Sequence, residues 1–235
     1  MVDKLSLVIP ILNEEKNILP LTNKIIQNLT KIKYEIIFVD DSSIDNSRQK
    51  LKKLKKKYKF LKPIYRNKKR DLCQSCFDGI RKSIYKNILI MDGDLQHDPK
   101  YIKKMLKIYN KYNLDIVIGS RKLLDGKNKG LSEPRRFASI LLIYLFGIFK
   151  LETNDPMSGF FLFKKEIYHE NQKSFFGKGF KILADFLINS KQNLQTKDVT
   201  IDFNRRYNSE SKMSLKVLFI LLQFYLISLV KKIFV

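Results

Sequence analysis

Acidic and amide side chains are concentrated in MDGDLQHDP, residues 91–99, which follows the apolar run NILI. Asp92 and Asp94 are two residues apart, so their side chains share a face as long as the chain stays extended. Gln96 continues the same alternation and adds a neutral oxygen. Paired carboxylates can bind a hard divalent cation such as Mg²⁺, which keeps coordination positions for substrate phosphate oxygens. Such triplets also occur by chance in turns, but the strand before this one, the helix start after it and the acidic pair Asp40-Asp41 at another strand end favour a metal site for a sugar nucleotide. The cation would neutralise the departing diphosphate.

The end of this segment has the composition of a helix start. Asp98 is a favourable N-cap residue, and Pro99 fits the first helical position. We therefore expect Asp98 to have a structural role. His97 lies on the opposite face from Gln96 in an extended chain, and we expect its ring to form a hydrogen bond within the turn.

The elements that must position these residues are apolar runs that alternate with lysine-rich amphipathic stretches. Near-continuous Ile, Val and Leu runs are typical of parallel strands that are covered on both faces. The predicted strands are LSLVIPI (5–11), YEIIFVD (34–40), FLKPIYR (60–66), NILIMD (87–92) and LDIVIGS (114–120). The predicted helices are Glu14 to Leu29, Asp45 to Tyr58, DLCQSCFDGI (71–80) and Pro99 to Tyr112. The pattern predicts an α/β fold with a wound, mostly parallel sheet.

Polar segments follow four of the predicted strands. They are PILNEE (10–15), DDSSIDNS (40–47), DGDLQHDP (92–99) and SRK (120–122). Open α/β sheets bind ligands beyond the carboxyl ends of their strands. Because the carboxyl ends of parallel strands lie at the same edge, we expect these segments to form one site.

The composition is that of a globular protein, with 235 residues, 44% hydrophobic and 29% charged. The net charge of +23 is explained by a solvated lysine-rich surface or by attraction to anionic lipid, nucleic acid or phosphorylated substrates. Cys73 and Cys76 form a lone CxxC without a nearby histidine, which favours packed thiols over zinc. A strand that begins near residue 5 leaves no room for a signal peptide, so none is expected.

Two apolar segments distinguish the second half of the chain, SILLIYLFGIF (139–149) and VLFILLQFYLISLV (217–230), the latter followed by two lysines. A spanning helix needs roughly 20 apolar residues, so neither segment comfortably crosses a bilayer alone. Three alternatives remain for the C-terminal segment: an interfacial helix, a helix that docks on a membrane subunit, or a short span completed by Leu215 and the terminal IFV. The predicted division is a domain of residues 1–213 and an apolar, membrane-associating helix of residues 214–235.

An ordered series of motifs resembles a known family. The motifs are IPILNEEKN (9–17), FVDDSSIDNS (38–47), MDGDLQHDP (91–99), GSR (119–121), DPMSGFFLF (155–163), GFKIL (179–183) and RYNSESK (206–212). The chain resembles the inverting family 2 glycosyltransferases of the dolichol-phosphate mannose synthase type over residues 4–214. The resemblance implies the GT-A fold. It also implies metal-dependent transfer of a hexose, most often mannose, from a nucleotide sugar to a polyprenyl or dolichyl phosphate with inversion.

The resemblance also implies roles for residues that match the motifs. Residues of the nucleotide pocket and donor site would be Pro10, Glu14, Val39, Asp41 and Gly93. Residues that hold Mg²⁺ or Mn²⁺ against the donor diphosphate would be Asp92, Asp94 and Gln96. Residues that gather around donor and acceptor phosphates would be Arg121, Arg135 and Ser139. Residues that close over the donor would be Arg206 and Lys212, which form the catalytic set with Asp94 and Arg121.

The acceptor oxygen of a polyprenyl phosphate is already anionic at neutral pH, so this nucleophile needs positioning more than deprotonation. Arginine and lysine can bring two phosphate-bearing substrates together despite their repulsion. The implied partners are a nucleotide sugar (GDP-mannose is favoured), polyprenyl phosphate, a membrane surface and a membrane-protein subunit. Lysines beside the apolar segments favour anionic headgroups, and we expect the protein at the cytoplasmic face of a membrane.

The chain departs from the family pattern at several positions. Leu12 stands where an aromatic residue is usual, and Phe161 where an arginine is common. A family stretch with a G-L-G core is replaced by RNKKRDLCQSCFDG (66–79), in which Gly79 is the only glycine. These changes leave open UDP-glucose or another donor. A glycolipid or polysaccharide acceptor is a separate alternative, against which the RYNSESK motif and the C-terminal apolar segment argue.

Two further alternatives belong to other classes of protein. The charge permits a nucleic-acid-binding protein, but aromatic residues are not interleaved with Lys and Arg in a recognisable module, so no nucleic-acid partner is expected. A sugar-nucleotide-binding scaffold without catalysis is the other alternative. The retention of Asp92, Asp94, Gln96, Arg206 and Lys212 argues against that scaffold.

Overall fold

The computed structural model describes residues 4–121, 133–204 and 215–234, and for residues 133–139, 215–218 and 233–234 it describes the backbone alone. The strands of the described chain are β1 (Lys4–Ile11), β2 (Lys33–Asp40), β3 (Ile64–Tyr65), β4 (Asn87–Ile90), β5 (Ile116–Arg121), β6 (Phe161–Lys164) and β7 (Thr196–Ile201). They form one sheet in the order β3-β2-β1-β4-β6-β5-β7. Strand β6 is antiparallel to β4 and β5, and the other pairs are parallel. The predicted mostly parallel sheet is confirmed.

The helices are α1 (Glu15–Asn28), α2 (Ser47–Lys57), α3 (Leu72–Lys82), α4 (Ile102–Tyr112), α5 (Glu133–Phe146), α6 (Lys165–Asn171), α7 (Ile182–Asn189) and α8 (Leu215–Phe234). Single 3₁₀ turns, Pro99–Tyr101 and Gly147–Phe149, precede α4 and follow α5. Asp98 caps the first of these turns, since its Oδ1 accepts a hydrogen bond from the Lys100 N–H at 3.0 Å. The predicted Asp-Pro helix start is confirmed.

Helices cover both faces of the sheet because each strand presents apolar side chains on both sides. One core contains Leu21 of α1, Leu51 of α2 and Met105 of α4 against β1 and β2. The second core contains Ile80 of α3 and Phe186 of α7 against β4, β5 and β6. Burial of each such side chain stabilises the fold by about 1.5–3 kcal/mol relative to an exposed one.

The predicted third strand is shorter than its apolar run. FLKPIYR (60–66) contributes only Ile64–Tyr65 to the sheet, plus a single bridge from Leu61 to Ile36. Pro63 interrupts the ladder because proline has no N–H to donate. The other strand boundaries differ from the predicted ones by at most two residues at either end, and β4 ends at Ile90.

Helix α8 packs on the body of the protein through a separate apolar cluster. The buried members of this cluster are Phe224 of α8, Phe146 of α5, Ala184 of α7 and Met157, which lies between α5 and β6. The Lys231 Nζ donates a hydrogen bond to the Ser174 carbonyl at 2.8 Å. Within the described chain, no helix combines the length and the apolar content required to cross a bilayer.

Candidate active site

The acidic segment leaves the sheet at once and turns sharply. Strand β4 ends at Ile90, and Leu95 has a φ of 65°, in the left-handed region. The predicted alternation therefore does not continue to Gln96, because the turn at Leu95 changes the direction of the chain. Asp94 is buried, whereas the Asp92 side chain is 35% exposed. The two carboxylates remain at the carboxyl edge of β4, as the sequence predicts.

Gly159 of the DPMSGFFLF motif makes room for the Asp92 carboxylate. A Cβ atom at Gly159 would lie 2.6 Å from Asp92 Oδ2 and 3.0 Å from its Cγ. Such a contact is far inside van der Waals distance, so any side chain at this position would displace the carboxylate. Gly159 therefore determines where Asp92, one of the three predicted metal ligands, lies.

The substitution Gly159→Ala is expected to lower kcat/KM for the transfer reaction that the family resemblance implies by roughly 10- to 100-fold, because residues that support a metal ligand have effects of this size. Thermal stability should change much less than activity. Gly147→Ala is the matched control, since a Cβ at Gly147 meets no atom within 4 Å. Equal activity of the two variants would show that the position of Asp92 is unimportant.

His97 packs between two aromatic rings. Its ring centroid lies 5.2 Å from that of Phe160 and 5.1 Å from that of Phe203. Among the described residues neither ring nitrogen has a hydrogen-bond partner, and Nδ1 is 3.5 Å from Asp92 Oδ2. The predicted hydrogen bond within the turn is therefore wrong, because the ring enters an apolar slot. Burial lowers the pKa of His97 to about 4, so the imidazole is neutral at pH 7.

Gln96 holds the chain that leads into the RYNSESK motif. The side-chain Nε2 of Gln96 donates to the Asn204 backbone carbonyl at 2.9 Å. The backbone carbonyl of Gln96 accepts from the Asn204 N–H at 3.0 Å. An antiparallel bridge between His97 and Phe203 extends this pairing. Residues 203–204 are thus fixed beside the acidic segment, two residues before Arg206.

Arg121, at the end of β5, is bound by a buried aspartate. Its Nε and Nη2 donate to the two Asp155 oxygens at 2.6 and 2.7 Å, and its backbone N–H donates to Oδ2 at 3.1 Å. The guanidinium also lies over the Phe203 ring, 5.4 Å from its centroid. Burial opposes the charge of Arg121, but Asp155 outweighs it and raises the pKa. Arg121 is therefore fixed by a bidentate ion pair at the site.

Asp41 is fixed in a comparable way by Arg66, which follows β3. The Arg66 Nη1 donates to Asp41 Oδ1, and its Nε donates to Asp78 Oδ2 at 2.8 Å. Burial raises the pKa of Asp41, while the charge of Arg66 opposes that increase. Both side chains are almost completely buried. Arg66 was not among the predicted site residues, since nothing in the local pattern distinguishes it from a surface arginine.

The loops after β1 and β2 are joined side by side. Pro10 and Val39 are paired in the parallel register of the two strands. The Glu14 N–H donates to Ser47 Oγ at 3.0 Å, and the Asn13 side-chain oxygen accepts from the Ile44 N–H at 2.9 Å. Four predicted pocket residues are thereby brought to one edge of the sheet: Pro10, Glu14, Val39 and Asp41. Gly93 packs against the same edge, since a Cβ there would lie 2.6 Å from an Ile11 methyl group.

Other predicted site residues lie partly or wholly outside the described chain. Arg135 and Ser139 are on helix α5, and their side chains are not described. Arg206 and Lys212 are outside the described residues. Their assigned roles stay predictions.

The oxygen atoms that could ligate a metal at the acidic edge suit a hard cation. Asp92 and Asp94 provide carboxylate oxygens, the preferred ligands of Mg²⁺ and Mn²⁺, and leave positions for phosphate. The space that Gly159 leaves for the Asp92 carboxylate fits such a ligand role. The described residues contain no cluster of three or more His, Cys, Asp or Glu side chains placed to bind a metal.

Cys73 and Cys76 lie on the buried face of α3 with free thiols. Burial raises the pKa of both thiols well above its usual value. The prediction of packed thiols is confirmed.

Known structures share this arrangement of sheet and helices. Glucosyl-3-phosphoglycerate synthase from Mycobacterium tuberculosis, solved with Mn²⁺, UDP and phosphoglyceric acid, superposes with a TM-score of 0.72 at 15% identity. The match covers 94% of this chain and 78% of that one. A second structure of that synthase, with Mn²⁺, UDP and glucosyl-3-phosphoglycerate, gives a TM-score of 0.68. These likenesses establish a GT-A-like α/β fold.

Sequence comparison identifies the family. Residues 6–171 match the model for glycosyl transferase family 2. The chain is 33% identical over 219 residues to a dolichol-phosphate mannosyltransferase of Pyrococcus furiosus, covering 92% of this chain and 61% of that protein. It is 29% identical to the Saccharomyces cerevisiae protein of that name, covering 93% of this chain and 84% of the relative. The chain belongs to glycosyl transferase family 2, which confirms the predicted resemblance.

Proposed function

We propose that the protein transfers mannose from GDP-mannose to a polyprenyl or dolichyl phosphate, with inversion and with Mg²⁺ or Mn²⁺. The names of its relatives support the substrate class. The observation that carries the proposal is the convergence of Asp41, Asp92 and Asp94 at the carboxyl edge of one sheet. Such an edge is where an α/β fold binds a nucleotide.

The donor would lie across β1, β2 and β4. The nucleoside would contact the pocket of Pro10, Glu14, Val39 and Asp41, and its diphosphate would face the acidic segment. Asp92 and Asp94, with Gln96 as a further oxygen ligand, would hold the cation, which neutralises charge on the departing diphosphate. Gly93 allows the acidic segment to pack closely on Ile11.

The acceptor needs positioning, since its phosphate oxygen already carries the negative charge of a nucleophile. We assign this task to Arg135, Ser139, Arg206 and Lys212. Arg121 joins them through Nη1, the nitrogen outside its bidentate pair with Asp155. In-line attack on the anomeric carbon then inverts its configuration.

Helices α5 and α8 together provide a surface for the lipid. On α8, Phe219, Leu222, Leu226 and Val230 recur at helical spacing and are 50–59% exposed, on a face other than that of Phe224. On the described part of α5 and the following turn, Leu141, Tyr144, Leu145 and Ile148 are exposed apolar residues. Exposed apolar patches of this kind mark interaction sites. We propose that this face lies in the interface of a membrane, on its cytoplasmic side, with residues 214–235 as the main contact.

The double substitution Leu222→Glu/Leu226→Glu tests this surface in sedimentation with vesicles of phosphatidylcholine and phosphatidylglycerol. Each side chain would bury about half of its area, so their loss should weaken binding by roughly tenfold or more. Ile84→Glu is the control, because Ile84 is exposed but lies outside α5 and α8. Unchanged vesicle binding of the double variant would show that α8 does not enter the interface and would favour docking on a membrane subunit.

A thermal-shift panel of donors with Mn²⁺ tests the nucleotide assignment. GDP-mannose should raise the Tm of the wild type, and Asp94→Ala should abolish the metal-dependent part of the rise, since a ligand stabilises only the state that binds it. A larger rise of the Tm with UDP-glucose would identify UDP-glucose as the donor in place of GDP-mannose, and the reaction would still be sugar transfer. The absence of any rise with every donor would contradict the proposal.

A further inference from the structure

Asp71 lies in the segment RNKKRDLCQSCFDG (66–79), which stands where the family has its stretch with a G-L-G core. We infer that Asp71 is a positioning residue that joins the nucleotide pocket, through Asp41, to the loop of residues 177–179. This inference rests on the proposed role of Asp41 in binding the donor nucleotide. The altered segment 66–79 would thus help to orient the nucleotide pocket.

The side chain of Asp71 accepts two backbone hydrogen bonds from different segments. Its Oδ1 accepts from the Gln74 N–H at 3.0 Å and thereby caps α3. Its Oδ2 accepts from the Gly179 N–H at 2.9 Å, across 108 residues of sequence. A glycine at position 71 could make neither bond, so both depend on the Asp71 carboxylate.

The backbone of Asp71 contacts the nucleotide pocket directly. Its N–H donates to Asp41 Oδ2 at 2.8 Å, while Arg66 binds the other carboxylate oxygen. The Arg66 Nη1 also reaches the Asp71 carbonyl at 3.3 Å. Each carboxylate oxygen can accept a further hydrogen bond, so Asp41 is oriented and still able to accept one from a nucleoside. A fixed orientation of this kind lowers the ordering cost of binding.

Two further hydrogen bonds join helix α3 to the same loop. The Cys73 N–H donates to the Gly179 carbonyl at 2.9 Å, and Gln74 Nε2 donates to the Gly177 carbonyl at 2.6 Å. Gly177 and Gly179 have φ values of 67° and 84°, which L side chains rarely adopt. The conformation of the loop is therefore well defined. Asp71 contacts both this loop, through the Gly179 N–H, and the nucleotide pocket, through Asp41.

Helix α8 contacts this loop from the other side. A Cβ at Gly179 would lie 2.8 Å from a methyl carbon of Ile220, so the loop passes between α8 and the start of α3. The series of contacts is Ile220, Gly179, Asp71 and Asp41. The loop of residues 177–179 packs against α3 on one side and α8 on the other, so it cannot relax freely into solvent. We therefore expect a change of the Asp71 side chain to alter the position of Asp41.

The experiment compares Asp71→Ser with Asp98→Ser by titration of GDP or UDP in the presence of Mn²⁺. Both residues are N-caps, and serine retains capping. Serine is too short to cap α3 and also reach the Gly179 N–H. We expect Asp71→Ser to weaken nucleotide binding by about tenfold, the size seen for residues that orient a binding group. In transfer assays the KM for the donor should rise while kcat at saturating donor changes little.

Asp71→Asn provides a second variant of equal size. Its amide can cap α3, but one carboxylate oxygen is replaced by a donor group that cannot accept the Gly179 N–H. It should weaken nucleotide binding as Asp71→Ser does, with a Tm near that of the wild type. Wild-type nucleotide affinity in both Asp71 variants would overturn the inference. A wild-type protein that binds no nucleotide would instead contradict the proposed function.

Discussion

Asp94→Asn is expected to reduce sugar transfer by roughly 10³-fold, with little loss of folding stability. The substitution keeps the shape of the side chain and removes the negative charge that a divalent cation requires. Electrostatic stabilisation of a leaving group by a metal is worth several kcal/mol, and each 1.4 kcal/mol corresponds to a factor of ten in rate. Asp94 is buried, so the affected charge acts in a site with little water.

The measurement is kcat/KM for transfer at several Mn²⁺ concentrations, together with nucleotide affinity with and without metal. Asp94→Asn should lose the metal-dependent part of nucleotide affinity and retain the rest. Asp98→Asn is the control, because Asp98 lies in the same segment and caps the next helix, a role that asparagine fulfils. Equal loss in both variants would assign the acidic segment to structure instead of chemistry.

Asp155→Asn is expected to lower the free energy of unfolding by about 3–5 kcal/mol, because it leaves the buried guanidinium of Arg121 without its counter-charge. The pair is bidentate, and the Asp155 side chain is completely buried. In a chain of this size each kcal/mol corresponds to about 2–4 °C, so the Tm should fall by roughly 10 °C. Transfer should fall as well, since Arg121 and residues 155–160 border the acidic segment.

The control for this prediction is Asp115→Asn, which removes the charge from an ion pair at the opposite end of β5. Asp115 and Lys164 are 2.9 Å apart, with side chains 24% and 35% exposed. Exposed pairs contribute about 1 kcal/mol or less, so its Tm should change little. If Asp155→Asn keeps the wild-type Tm and loses only transfer, Arg121 acts on substrate phosphate without a structural role.

Local chemistry made part of the site predictable. The Asp98-Pro99 helix start depends on adjacent residues, and Asp41, Asp92 and Asp94 reach one edge because they follow parallel strands. The strand order and the antiparallel β6 did not follow from the sequence, since they depend on pairings between distant segments.

The remaining features depend on contacts that no short segment contains. Arg66 and Asp41 are 25 residues apart, and Arg121 and Asp155 are 34 apart. The φ of Leu95 turns Gln96 out of the predicted alternation, and the slot that receives His97 is completed by Phe203 from the far end of the chain. Buried pairs and aromatic slots of this kind become visible only when the fold brings their members together.

The proposed function is tested most directly by mass spectrometry of lipid extracted after incubation of the protein with GDP-mannose, Mn²⁺ and a polyprenyl phosphate. This function predicts a polyprenyl phosphate that has gained one hexose, formed by the wild type and greatly reduced in Asp94→Asn. A protein that binds nucleotide and metal but forms no lipid-linked sugar with GDP-mannose, UDP-glucose or other common donors would contradict it.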